Sequence, residues 1–404
     1  MKKINMAIIG LGQRGSMLAD TIMAFDDVDI VAICDEYEDR IQKTAENIKT
    51  KRGYEPTAYI NYQDVLKDER VDAVLVASSW DEHIRMAIEC MRAGKITAME
   101  VGGAYDVEEC WELVRTYEET KTPIMMMENC CFDEFETMAL ALARAGKFGE
   151  IVHCHGAYSH DLRDEILGGN VNRHYRLQNY VKRNCENYPT HELGPIAKIL
   201  DINRGNKMVS LVSVSSKASG LAAFAKTDKN PDPSLKDMKF AQGDIVNTII
   251  TCANGETISL KLDTNLPRGF YSREFTVRGV SGMCMQEHNM VFVEGEQELH
   301  LPLDDYRGTA KKYADYVPNM WRNITPIQRE LGHGGMDYLM FKGFFHAIKN
   351  NEEMPVDVYD AAAWMCITAL SEQSIAHGGA PQAIPDFTRG KWINRSRLDV
   401  KDLT

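Results

Sequence analysis

Several features are missing from this 404-residue chain, and each absence narrows the possibilities. No apolar run reaches the roughly 18–20 residues of a membrane helix. The first apolar stretch, residues 4–9, stops at Gly10. A secretory core needs roughly 7–15 apolar residues after its basic start. Met1-Lys2-Lys3 therefore reads as the lead-in to a strand, and a cytoplasmic protein is expected. Basic residues are the minority, 46 Lys and Arg against 59 Asp and Glu, a net charge of −13. Without a basic face, binding to nucleic-acid phosphates or to an anionic membrane surface is disfavoured. The ten cysteines contain no C-x-x-C pair and no zinc-type spacing. Cys34, Cys90, Cys110, Cys252 and Cys366 lie in apolar periodic segments, and Cys130 and Cys131 are adjacent. They read as reduced, buried thiols, and no metal site is expected. Internal repeats and low-complexity segments are also absent. What remains is 44% hydrophobic and 26% charged, a globular composition long enough for two or three domains.

The first 125 or so residues alternate strand and helix patterns. Strands are expected at 4–9, 28–34, 71–77, 96–100 and 123–127, with helices at 14–25, 38–51, 82–93 and 106–120. Near-continuous apolar strands in a βαβα rhythm mean a parallel sheet covered on both faces. A helix at 133–146 and a strand at 150–158 follow, then a polar, aromatic stretch at 159–188 without clear periodicity. A helix is expected at about 190–203, several strands from 208 to 294 with turns such as Asn254-Gly255, and helices at about 335–350 and 358–377. The fold class is α/β: a doubly wound parallel sheet over residues 1–128, then an α+β unit over 129–404 with a large open, mostly antiparallel sheet.

Gly10-Leu11-Gly12-Gln13-Arg14-Gly15 is a G-x-G-x-x-G motif placed after a strand and at the start of a helix. The first glycine allows the turn, the second lets the backbone approach a pyrophosphate, and the third lets helix and strand pack. Asp35 ends the second strand twenty residues past Gly15, where an acid can bind a ribose 2′-hydroxyl. With Glu36 beside it, Asp35 repels a 2′-phosphate, so NAD is favoured over NADP. Ser78-Ser79-Trp80-Asp81-Glu82-His83 and Glu100-Val101-Gly102-Gly103 follow the third and fourth strands. Ligands of open α/β sheets sit at strand carboxyl ends, so both loops should face the cofactor.

Tyr188-Pro189-Thr190-His191 combines a fixed turn with an imidazole in a helix's first turn. A histidine can take a hydroxyl proton near neutral pH, but the same residues with Glu192 also read as a capping box with Thr190 at the N-cap. His153 and His155 share a strand face, where packing or solvent exposure is favoured over metal ligation. Asp161 with Arg163 reads as pocket lining or as a surface ion pair. Met125, Met126 and Met127 read as a buried strand.

Together these residues resemble the Gfo/Idh/MocA oxidoreductases, whose usual fourth-strand motif is Glu-Lys-Pro, the lysine assisting proton transfer. Here Val101 stands where that lysine belongs. The chain looks like the NAD-dependent glycoside hydrolase family 109 branch, the α-N-acetylgalactosaminidases. The matching segments are Met125–Cys130, Gly149–Cys154, His160–Arg163, Tyr188–Pro195, Asn203–Gly205, Tyr271–Arg273 and His333–Asp337. The resemblance implies NAD contacts at Gly10, Gly12, Gln13, Arg14, Gly15, Asp35, Trp80, His83, Glu100, Val101, Asn129 and Tyr188. It implies substrate contacts at Tyr158, Arg176, Tyr188, His191 and Tyr271. It also implies hydrolysis by transient oxidation at sugar C3, elimination, water addition and re-reduction, outside the usual two-carboxylate scheme. On that reading His191 handles the O3 proton, and Tyr188 or Tyr271 the C2 proton. A redox glycosidase of other sugar or anomer preference, an NAD-dependent sugar dehydrogenase or epimerase, and an NAD-sensing regulator are the other readings. The expected partners are a small-molecule glycoside and, by family analogy, a second copy of the chain across the open sheet.

Overall fold

Two sheets organise the protein, seen here as a computed structural model that describes residues 3–400. The first contains β1 (Ile4–Ile9), β2 (Val28–Cys34), β3 (Thr57–Tyr59), β4 (Ala73–Val76), β5 (Ile96–Met99) and β6 (Ile124–Met126). All pairs are parallel, in the order β3-β2-β1-β4-β5-β6. Helices cover both faces, which is why these strands are apolar along their length; Met6, Ala7, Ile8, Val74 and Leu75 are all fully buried. The chain leaves β1 towards β2 on one side and β4 on the other. That reversal opens a crevice at the carboxyl ends of β1 and β4, the general ligand position of such sheets.

The second sheet contains β7 (Ile151–Ser159), β8 (Met208–Ser215), β9 (Ile245–Cys252), β10 (Thr257–Asp263), β11 (Thr276–Gly279), β12 (Gly282–Met285), β13 (Met290–Val293) and β14 (Gln382–Ala383). Their order is β13-β12-β11-β7-β10-β9-β8-β14, and β7 with β10 is the parallel pair among antiparallel ones. One face packs under the helices Thr190–Ile199 and Val358–Ala376. The other is open and carries Val152, Val209, Val214 and Ile249 exposed. The alternating burial of β9 and β10 follows from that asymmetry.

The last helices tie the two sheets together. Val358–Ala376 is buried on all sides from Val358 to Leu370, as an all-round apolar helix must be. It packs on β8 and on the helix Val107–Thr120 at once. Met336–Asn350 returns to the first sheet and lies on the helix Gln13–Ile22. Among the described residues no helix is long and apolar enough to cross a membrane.

The stretch 159–188 holds three helices, Arg163–Leu167, Gly169–Asn172 and Arg176–Lys182. Each has two turns or fewer, too short for a helical period to show. β3, β12 and β14 are likewise too short to read as strands from the sequence, with two to four residues each. All ten cysteines are free and buried.

Candidate active site

The glycine loop has the geometry its motif requires. Gly10 has φ +92°, and a Cβ there would lie 2.4 Å from the Ala77 carbonyl oxygen. A Cβ on Gly15 would come within 1.9 Å of the Gly10 oxygen, so helix and strand meet through that gap. Gly12 is different: a Cβ would meet only the Arg40 Nη1, at 3.7 Å. The protein does not use the space over Gly12, and the helix Gln13–Ile22 that starts there has no side-chain cap and no acid in its first turn. Free N–H groups and positive dipole facing open space fit a bound pyrophosphate. Asp35 is buried, its Oδ2 accepting from the Leu11 N–H (2.7 Å) and its Oδ1 from the Tyr37 N–H (2.9 Å), so it also braces the loop. Arg40 stands 3.7 Å from Asp35 but is engaged elsewhere, donating to the carbonyls of Asn172 and Arg173. Gln13 is exposed at the helix start.

Arg14 swings away from the loop into a closed polar network. Its Nη1 lies 2.7 Å from Asp337 Oδ2, and its Nη2 3.1 Å from Glu100 Oε1. Asn129 Nδ2 donates to Asp337 Oδ1 (2.8 Å), and His333 Nδ1 lies 2.9 Å from Asp337 Oδ2. Burial of Asp337 works against its charge, yet Arg14 and His333 outweigh it and hold the carboxyl well below the ordinary range. Burial raises Glu100 despite the Arg14 charge. Val101 is buried beside it. His83 reaches the backbone at Glu100 and Val101 but takes no side-chain part in this network. Its Nε2 sits 3.0 Å from the Ser78 carbonyl oxygen, and burial pushes its imidazole down to about 4, so it packs neutral under the loop.

A second group forms an aromatic wall. The Trp80 ring lies against Gly102, where a Cβ would be 2.8 Å from it. It stacks on Tyr188 (centroids 5.3 Å) and touches Tyr175 (5.0 Å). Tyr158 contacts Tyr188, His191 and Tyr271 at 4.6, 5.6 and 6.0 Å. Arg176 lies over Trp80 and Tyr188, pairs with Glu165 (2.8 Å), and keeps a buried Nη1 without a hydrogen-bond partner. The five substrate-side residues expected from the sequence thus converge. His160 joins them, with Tyr271 5.3 Å away and its own buried Nδ1 unpartnered.

The centre of this wall is a dyad. His191 Nδ1 lies 2.8 Å from Glu128 Oε1 and 3.0 Å from Oε2. Glu128 is fully buried at the end of β6 and also accepts from the Cys130 N–H (3.0 Å). Burial opposes its charge, but the neighbouring His191 prevails and holds the carboxyl below its ordinary value. Thr190 does not cap the helix: Pro189, already at φ −72° and ψ −20°, is the N-cap, so Thr190 is the first helical residue. Proline's fixed φ starts the helix one residue early. Glu128, Asp337 and His160 have no role that the sequence alone assigns. The position of Glu128 just past a strand's carboxyl end is the available signal; Asp337 lies more than 200 residues from Asn129, beyond any local pattern.

Elsewhere, Asp161 and Arg163 form an ion pair at 2.7 Å. His153 and His155 bond along the open face of the sheet to Thr257 (2.8 Å) and Ser259 (2.7 Å).

This combination of parallel nucleotide sheet, glycine loop and open second sheet defines an NAD-binding enzyme of the Gfo/Idh/MocA class. Residues 4–128 match the oxidoreductase family with an NAD-binding Rossmann fold, and residues 133–394 match the glycosyl hydrolase 109 C-terminal domain. The chain belongs to glycosyl hydrolase family 109. It is 37% identical to an alpha-N-acetylgalactosaminidase of Tannerella forsythia, over 97% of this chain and 88% of that one. A family 109 protein of Akkermansia muciniphila is 35% identical over 99% and 85%. Among solved structures, a levoglucosan dehydrogenase in complex with NADH and levoglucosan superposes with a TM-score of 0.71 at 20% identity, covering 95% of this chain and all of that one. A myo-inositol 2-dehydrogenase of Lactobacillus plantarum gives 0.68 at 19% identity, with the same coverage.

Proposed function

We propose that this protein is an NAD-dependent glycosidase that hydrolyses α-N-acetylgalactosaminides or related glycosides with no net oxidation. The observation that carries the reading is the His191–Glu128 dyad, set among Tyr158, Tyr188, Tyr271 and Arg176 and reached from the glycine-loop crevice. Residues 1–128 supply the nucleotide unit and 129–404 the substrate unit. NAD, when bound, supplies a reversible hydride acceptor at the sugar's C3. Glu128 accepts the Nδ1 proton of His191, which leaves Nε2 free to take the proton of the O3 hydroxyl. Arg176 and His160 present unpartnered donor and acceptor capacity to sugar oxygens. The C2 proton needs a second base. Burial raises both Tyr188 and Tyr271 above the ordinary phenol value. Tyr271 is 43% exposed and accepts from Arg273 Nη1 at 3.4 Å, a cation that works against the burial, so the C2 proton is assigned to Tyr271 rather than to the sealed Tyr188.

Val101 supports hydrolysis over net dehydrogenation, because no ammonium stands at that position. A panel of nitrophenyl glycosides of both anomers tests the reading. The expected result is aglycone release with catalytic NAD, no NADH accumulation, and deuterium at product C2 in D₂O. Tyr271→Phe should abolish the C2 exchange. Stoichiometric NADH formation on free sugars would favour the dehydrogenase reading, which the two solved dehydrogenase structures make the natural rival.

A further inference from the structure

Cys130 stands next to the dyad, and nothing in the proposed chemistry uses it. Glu128, Cys130 and His191 each offer one ligand atom, and the three atoms lie within 4.8 Å of one another. Carboxylate, thiol and imidazole are the donor set of a zinc site with three protein ligands and one open position. The geometry is nearly closed. His191 Nδ1 and Glu128 Oε1 are already 2.8 Å apart. A tetrahedral zinc about 2.0–2.3 Å from each ligand brings ligand atoms to roughly 3.5 Å from one another, so the thiol has about 1 Å to travel. Cys130 Sγ has only a weak bond to restrain it, 3.6 Å to Asn129 Oδ1. The site has an approach, because the His191 side chain is 12% exposed while that of Glu128 is sealed. The nearby cation Arg273 is itself neutralised by Asp133 (2.9 Å) and Glu136 (2.8 Å).

We propose that Glu128, Cys130 and His191 form a binding site for a zinc-class divalent cation that shuts the enzyme off by occupying His191. Binding forms metal–sulfur, metal–nitrogen and metal–oxygen bonds: the His191 proton moves from Nδ1 to Nε2 as Nδ1 bonds the metal in place of its hydrogen bond to Glu128, and the Cys130 thiol proton is released to solvent. With Nδ1 on the metal, Nε2 carries the ring proton and cannot take the O3 proton, so a metal-bound enzyme does not turn over. The inhibitory half rests on the role given to His191 above; the binding half does not.

The experiment titrates chelator-treated, full-length protein with Co²⁺ and with Zn²⁺. Co²⁺ should produce a thiolate-to-metal charge-transfer band, and Zn²⁺ should bind with one proton released from the thiol. Cys130→Ser and Cys130→Ala, each checked by thermal melting, should lose the band and weaken Zn²⁺ about 100-fold, in line with loss of a metal-site group. In the unsubstituted protein Zn²⁺ should inhibit aglycone release, with recovery on adding EDTA, and the Cys130 variants should resist the same Zn²⁺ concentration. Unchanged Zn²⁺ affinity in both variants overturns the site. A cobalt band with full turnover overturns the shut-off and, separately, counts against His191.

Discussion

The two walls of the crevice are built on opposite principles. On the nucleotide side, Arg14, Glu100, Asn129, His333 and Asp337 satisfy one another with contacts between 2.7 and 3.1 Å. On the aromatic side, Arg176 Nη1 and His160 Nδ1 are buried without hydrogen-bond partners, and so are all four carboxyl oxygens of Glu186 and Glu192, which flank Tyr188 and His191 in the chain. Each buried unsatisfied group costs about 1–3 kcal/mol. A closed network keeps its shape with or without a ligand. An open one persists where a ligand completes it, or where it must stay uncharged.

The sharpest way to break this contrast is to remove the reacting group alone. His191→Ala should lower turnover by about 10²–10⁴-fold, the usual contribution of a general base. NAD affinity, followed by fluorescence titration, should not change, because the closed network lies elsewhere. Near-normal turnover sinks the role of His191. Glu128→Gln should lose up to about 10⁴-fold from kcat with little change in KM, because on the proposed mechanism it orients the imidazole without touching substrate. A loss confined to KM would make Glu128 a substrate contact instead.

The nucleotide side should fail differently. Asp337→Ala strands the Arg14 guanidinium and frees Asn129, and breaking a buried ion pair costs about 3–5 kcal/mol. Denaturant melts should show that loss, and NAD should bind more weakly while the His191 chemistry stays intact at saturating NAD. An unchanged melt would mean that Glu100 alone holds Arg14 and that the network is not cooperative.

How much of the molecule is legible in its sequence follows from which contacts are local. The glycine loop, its strand and its helix lie within 22 residues, and the motif carries its own context. The parallel sheet is readable because strands covered on both faces are apolar throughout. The wall of Tyr158, Arg176, Tyr188, His191 and Tyr271 becomes visible only through resemblance, since three of its members lie in or beside the stretch 159–188, whose helices are too short to show a period. Glu128 is in view but carries no role there, because a buried acid at a strand end looks the same whether it orients an imidazole or braces a turn. Asp337 answers to Arg14 across 323 residues, and only the folded chain brings them together.

The smallest expected effect tests whether the unpartnered carboxyls of Glu186 and Glu192 are kept uncharged. Burial pushes Glu186 up to about 8, and Glu192 rises through burial and then through the nearby Glu186. A carboxyl raised in the folded state keeps its proton there while the unfolded chain has already lost it. Its contribution is therefore fully present below the ordinary value of 4.5 and is lost progressively as pH rises towards about 8. Glu186→Gln keeps the shape and removes the titration. At pH 8 the variant should be more stable than the parent by about 2 kcal/mol, because a tenfold change in proton affinity corresponds to roughly 1.4 kcal/mol and Glu192 retains part of the effect. Near pH 4 the two should coincide, and the slope between should be shallower in the variant. Denaturant melts across that range decide it. Parallel curves would mean that Glu186 is charged and partnered in the folded protein.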